Sequence, residues 1–165
     1  MRLRTKQLLL CFSALLFASA LDVSPQPGEA AVASPSVVGV WRLSEVIIGG
    51  LNEKRNTNPE PGVLIFTQHF YSLNAVTSEG PRPELPQTGA SDKQRADAFA
   101  AFDAVSGSYE IKGNQIIFHR IAAKNPAAMR PGNSATDTFR LEGNDTLWMT
   151  EARNPPVTWK LTRLE

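Results

Sequence analysis

Seven side chains of this sequence could hold or act on a small molecule: Glu45, Phe66, Tyr71, Tyr109, His119, Arg140 and Trp148. Glu45 and His119 are the two acid/base groups, and Arg140 is a possible counter-charge. Glu45 lies four residues after Trp41 in an alternating run, so an inward Trp41 puts the carboxylate inside as well. A carboxylate in an apolar enclosure is costly unless paired, and the partners available are Arg140 or His119. If a bulge intervenes, the phase slips and Glu45 faces water instead. His119 shares its parity with Ile117 and Ile121, which suits a hydrogen-bonded core histidine as well as an acid/base group. Aromatic residues at such positions build the core first and a ligand wall second.

Other chemistries lack their residues. Ser72 and Ser108 have no nucleophile-elbow context, and no glycine-rich phosphate loop occurs, so no catalytic residue and no cofactor are assigned. His69 falls in a tight turn, far from His119, so no metal site is expected. Asn144-Asp145-Thr146 has the form of a glycosylation sequon but reads as turn chemistry.

The elements that must position these groups are strands. Val38 to Ile48 is a β-branched, apolar-rich run closed by Gly49-Gly50, and it reads as strand one. Strands two and three, 63–67 and 70–77, flank a tight turn at Gln68-His69. Residues 78–106 read as a proline-stiffened segment and a helix from Asp92 to about Ala104, capped by Ser91 and Gln94 and ended by Gly107. Ala98, Phe99, Phe102 and Val105 form its apolar face. Strands four to eight follow at 108–112, 115–122, 135–141, 146–151 and 157–164, with turns at Gly113-Asn114 and Gly143-Asn144.

The long connections, 49–61, 78–106, 123–134 and 152–156, alternate with the tight ones. In an up-and-down barrel all the long ones gather at one pole, giving a cup with an ornamented mouth and a plain base. The fold expected is all-β: an eight-stranded up-and-down antiparallel β-barrel with one short helix between strands 3 and 4. Eight strands leave room for filling side chains or one small ligand. Closure brings the last strand beside the first and sets Arg163 against Trp41.

The chain start has its own composition. Arg2, Arg4 and Lys6 precede an apolar run from Leu8 to Phe17 and the small residues Ala18-Ser19-Ala20. This is the pattern of a signal peptide, residues 1–20 with cleavage near Ala20, and it implies a periplasmic or secreted protein. Without those three cations the chain has 14 basic and 16 acidic residues, net −2, so neither nucleic acid nor anionic membrane is an expected partner. Cys11, the one cysteine, lies in the removed segment, so the mature protein is expected to be disulfide-free. Residues 21–36, with Pro25, Pro27 and Pro35, read as a flexible tether, and 37–165 as the barrel domain.

Gly39-Val40-Trp41, paired with an arginine near the last strand's end, resembles the base signature of lipocalins. The stretch 37–165 is similar to the bacterial lipocalin-like domain family, a calycin-type barrel. Further residues carry the resemblance: Phe66-Thr67 with Tyr71-Ser72, Pro81 to Pro86, Ser106 to Glu110, Ala123 to Pro126, Phe139 to Gly143 and Lys160 to Arg163. The resemblance implies Gly39, Trp41 and Arg163 as the structural base. By analogy with lipocalins, it also points to a small, mostly hydrophobic ligand in the cavity. Two alternatives stand beside it: an enzyme using Glu45 or His119 in the same cup, and a filled barrel that binds proteins through its mouth loops.

Overall fold

The structure, a computed structural model, describes residues 36–165. The signal-peptide assignment and residues 21–35 of the tether lie outside the described residues. Nine strands make one antiparallel sheet in the order β2-β1-β3-β4-β5-β6-β7-β8-β9, and β1 also pairs with β9. The elements are β1 (Gly39–Ile48), β2 (Lys54–Asn56), β3 (Gly62–Phe66), β4 (Phe70–Val76), α1 (Asp92–Ala100), β5 (Phe102–Lys112), β6 (Gln115–Ala123), η1 (Pro126–Met129), β7 (Ser134–Glu142), β8 (Thr146–Glu151) and β9 (Val157–Arg163).

Eight of these strands close the barrel. The ninth, β2, is a three-residue spur that folds back from the first long connection onto Val46–Ile48. It shifts the strand count, so the helix lies between β4 and β5 rather than between strands 3 and 4. The tight connections at 67–69, 113–114 and 143–145 share one pole, and the long ones share the other.

Closure is visible in the register: Trp41 pairs with Arg163 and Leu43 with Leu161. The Arg163 guanidinium carbon stands 4.0 Å from the Trp41 ring centre. Its nitrogens donate to the carbonyls of Val38 (2.7 Å), Ser36 (2.6 Å) and Asn144. Trp41 Nε1 donates to Val37 O at 2.7 Å. Gly39 has a positive φ of 144°, and any Cβ there would collide with the Arg163 guanidinium, so glycine is required on both counts.

The core fills the base half only. Trp41, Leu64, Phe66, Ile116, Leu147 and Leu161 are fully buried there, with Tyr71, Phe118 and Met149 above them. The aromatic rings interlock: Phe66 meets Tyr109 edge-on at 4.9 Å, and Tyr71 meets Phe118 at 4.6 Å.

The helix is shorter than the sequence pattern predicts. Its capping box forms, with Ser91 and Gln94 satisfying each other's backbone N–H groups, but α1 stops at Ala100 and strand begins at Phe102. Phe102 and Val105, placed by helical period on the helix face, belong to β5 and pair with Val76 and Leu73 of β4. Strand-favouring side chains with a waiting edge override a helical spacing. Lys124 bridges this junction, its ammonium donating to the carbonyls of Phe99 in α1 and Phe102 in β5.

Gly107 does not end the helix either. It lies within β5 where the register with β6 shifts and Ile121 is the extra residue. A Cβ on Gly107 would overlap the His119 carbonyl oxygen. Gly107→Ala is therefore expected to push β5 and β6 apart and cost about 3 kcal/mol, at the upper end of overpacking effects. Urea unfolding of the variant measures it, and a loss below about 1 kcal/mol would show that the sheet yields freely there.

Candidate functional site

Above the filled base the barrel opens into a cavity of about 1420 Å³, larger than the ~300–1,000 Å³ usual for small-molecule sites because it runs out between the mouth loops. Tyr71 and Phe118 form its floor, and Leu73, Val105, Met149 and Trp159 form its walls. Phe99 of α1 and the segment from Lys124 to Asn133 form its rim.

Charged groups enter this cavity on strand positions otherwise occupied by apolar ones. On β6, Arg120 follows Ile116 and Phe118 on the inward face. On β7, Asp137 shares the inward face with Ala135, Phe139 and Leu141. On β8, Glu151 follows Leu147 and Met149, and on β5, Asp103 shares its face with Val105. Asp137 and Glu151 are direct register partners across β7 and β8, which sets two carboxylates side by side.

Burial and that neighbour show in the acid strengths. Desolvation first, then the Glu151 charge, push the Asp137 carboxyl up to about 7, and Arg120 offsets this only in part. Glu151 is raised as well, by desolvation, although Arg153 pairs with it at 3.3 Å. The Tyr71 hydroxyl is also raised by burial, and it feels the charges of both Arg120 and Asp137. Among the described residues, the side chains of Tyr71, Arg120 and Asp137 make no hydrogen bond or ion pair. No group of three His, Cys, Asp or Glu among them stands close enough to hold a metal ion.

Of the seven candidates named from sequence, only Tyr71 lines this cavity. Phe66 is buried in the base, and Tyr109 lies beside it, donating from its hydroxyl to Thr67 O at 2.7 Å. The other four face outward.

Glu45 turns out because β1 carries a bulge. The register with β9 runs Leu43 to Leu161 and then Glu45 to Lys160, leaving Ser44 as the extra residue. The slip puts Glu45 on the face of Lys160, yet it is only 8% exposed because Arg55 of β2 reaches over and pairs with it. His119 is on the outer face of β6, half-exposed, with Nε2 at 3.2 Å from Glu110. Its parity with Ile117 and Ile121 holds, but that face is the outside, where Ile121 is 65% exposed. Arg140 and Trp148 are register partners on the outside, with the guanidinium 4.5 Å above the indole and Glu142 pairing with Arg140.

Glu45 and His119 lie on the outer surface and do not line this cavity. The mouth half of the barrel is open.

Arg120, Asp137 and Glu151 were missed, although a signal existed for the latter two. Asp137 and Glu151 are charges on the apolar parity of their strands, the same argument that singled out Glu45, while Arg120 lies on a strand with apolar residues on both parities. Asp103 carried no such signal, because its segment read as helix.

No protein-family model matches the chain, and no curated protein matches it. Among solved structures, a lipocalin-like protein from Bacteroides uniformis is 11% identical, with a TM-score of 0.46 over 77% of this chain and 97% of that one. An uncharacterized protein from Bacteroides eggerthii is 8% identical, with a TM-score of 0.44 over 76% of this chain and 98% of that one. The closed eight-stranded barrel, established by the pairing of β9 with β1, is consistent with a lipocalin-like, calycin-type fold.

Proposed function

We propose that this protein is an exported binding module that holds one small molecule in the mouth half of its barrel. The observation that carries the reading is the division of the interior: a packed apolar base below, and above it an open cavity with Tyr71, Arg120 and Asp137 unpartnered inside. These polar groups face accessible space rather than being sealed in the core, so a ligand entering the mouth can reach them. The walls favour an apolar body on the ligand, and the inward charges favour a polar end. The ligand is thus amphipathic rather than purely hydrophobic.

The export half of the reading rests on the basic, apolar and small-residue order of the first 20 residues. Native mass spectrometry of protein isolated from the exporting host tests both halves. The expected result is a chain beginning after Ala20 that carries a stoichiometric small-molecule adduct. An adduct-free protein, together with no thermal shift against a panel of amphipathic compounds, would contradict the binding function.

A further inference from the structure

Two carboxyl groups stand opposite each other inside the cavity. Asp137 of β7 and Glu151 of β8 are register partners, and both line it. Opposed side chains on one face of an antiparallel pair have their Cβ atoms roughly 5 Å apart, so two negative charges there repel. The other charged or titratable groups of the lining are Tyr71 from β4, Asp103 from β5, Arg120 from β6, and Lys124, Arg130 and Arg153 from the mouth connections. β3 contributes Leu64 and β9 contributes Trp159, neither titratable, and β1 contributes nothing.

The cations do not neutralise the pair. Arg153 pairs with Glu151 at 3.3 Å, which leaves Asp137 without an ion pair among the described residues. Lys124 is engaged with the carbonyls of Phe99 and Phe102. Arg120 lowers both carboxyls, yet both stay raised, desolvation being the larger effect in each. Near neutrality the pair therefore holds one proton, chiefly on Asp137, whose carboxyl is pushed up to about 7.

In the empty barrel, water in the open mouth screens the two carboxyls from each other. An uncharged ligand that fills the mouth replaces that water with apolar surface, so a second negative charge costs more with the ligand present than without it. Each of the two, proton and ligand, then tightens the binding of the other.

We infer that the Asp137–Glu151 pair is a pH switch on the cavity, holding an uncharged ligand while the pair keeps one shared proton and releasing it as that proton is lost. This rests on the binding function proposed above. Affinity is highest below the pH at which the pair loses its proton and falls as pH rises through it.

Isothermal titration of the full chain with 2-octanone and 2-undecanone tests this, because neither probe titrates and any pH dependence belongs to the protein. Both are expected to bind about fivefold or more tightly at about pH 6 than at about pH 9. At about pH 7.5 binding takes up about half a proton, read as a heat that differs between phosphate and Tris buffers. In Asp137→Asn the proton uptake disappears and the affinity becomes level with pH. Glu151→Gln moves the fall in affinity to lower pH, because Asp137 loses its charged neighbour. His119→Gln, on the outer face beside Glu110, leaves the fall where it is. Affinity that is level with pH in the parent chain, that rises with pH, or that keeps its pH dependence in Asp137→Asn would overturn the switch and leave the cavity reading standing. Binding of neither probe at any of these pH values would overturn both.

Discussion

Asp137→Asn is expected to stabilise the barrel by up to about 4 kcal/mol at about pH 8 and to change little at about pH 4. The carboxyl ordinarily ionises at 3.8 and in the folded barrel at about 7. Between those values the folded chain holds a proton that the unfolded chain has lost, so stability falls as pH rises through this window. Above it the full cost is present, because both states are ionised and only the folded one keeps the charge buried beside Glu151. Asparagine keeps the shape and removes the charge. Urea unfolding at the two pH values checks this, with a melting shift on the order of 10 °C at the higher one. A variant less stable than the parent at pH 8 would mean that a partner already satisfies the Asp137 carboxylate. A chain that retains such a destabilising carboxyl fits a site kept for binding rather than for folding.

Trp41→Ala is expected to cost about 3–5 kcal/mol, the usual range for emptying a buried aromatic site. Trp41 is fully buried at the seam where the sheet closes, against Arg163 of β9. Arg163→Ala should cost about 2–3 kcal/mol, because charge-assisted bonds to Val38, Ser36 and Asn144 go with the stacking. Lysine should not restore it, since one ammonium cannot reproduce the fork. In a double-mutant cycle the two losses should fail to add by about 0.5–2 kcal/mol, the worth of a guanidinium over an indole. Simple additivity would show that the two side chains stabilise the closed end independently.

The barrel was legible because its signals are periodic and local. Alternation within Trp41–Ile48 and Leu147–Met149, with glycine turns at 113 and 143, marks strands whatever surrounds them. The alternation of long and tight connections then places the mouth. What failed depended on single-residue insertions. Ser44 turns Glu45 out of the barrel, and Ile121 forms a second bulge opposite Gly107. Ser44 leaves little signal because serine occurs in strands and loops alike, and Gly107, a glycine that can mark a bulge, was read instead as the end of a helix. The face of a strand is a further ambiguity: His119 keeps the expected parity, but whether that parity is inside depends on which neighbours it meets. Asp137 and Glu151 needed only the parity rule applied to charges as well as to apolar residues, whereas Arg120 lies on a strand that is apolar on both faces.

The three tryptophans provide the most direct test of the binding function, because each samples a different place. Trp41 is sealed in the base, Trp148 lies on the outer face under Arg140, and Trp159 lines the cavity. Their indole N–H signals in a nitrogen-15 NMR titration with an amphipathic probe should therefore respond unequally. The Trp159 signal is expected to move saturably with a single-site curve while those of Trp41 and Trp148 stay in place. Movement of Trp148 alone, or of no indole at saturating probe, would contradict a ligand site inside the barrel.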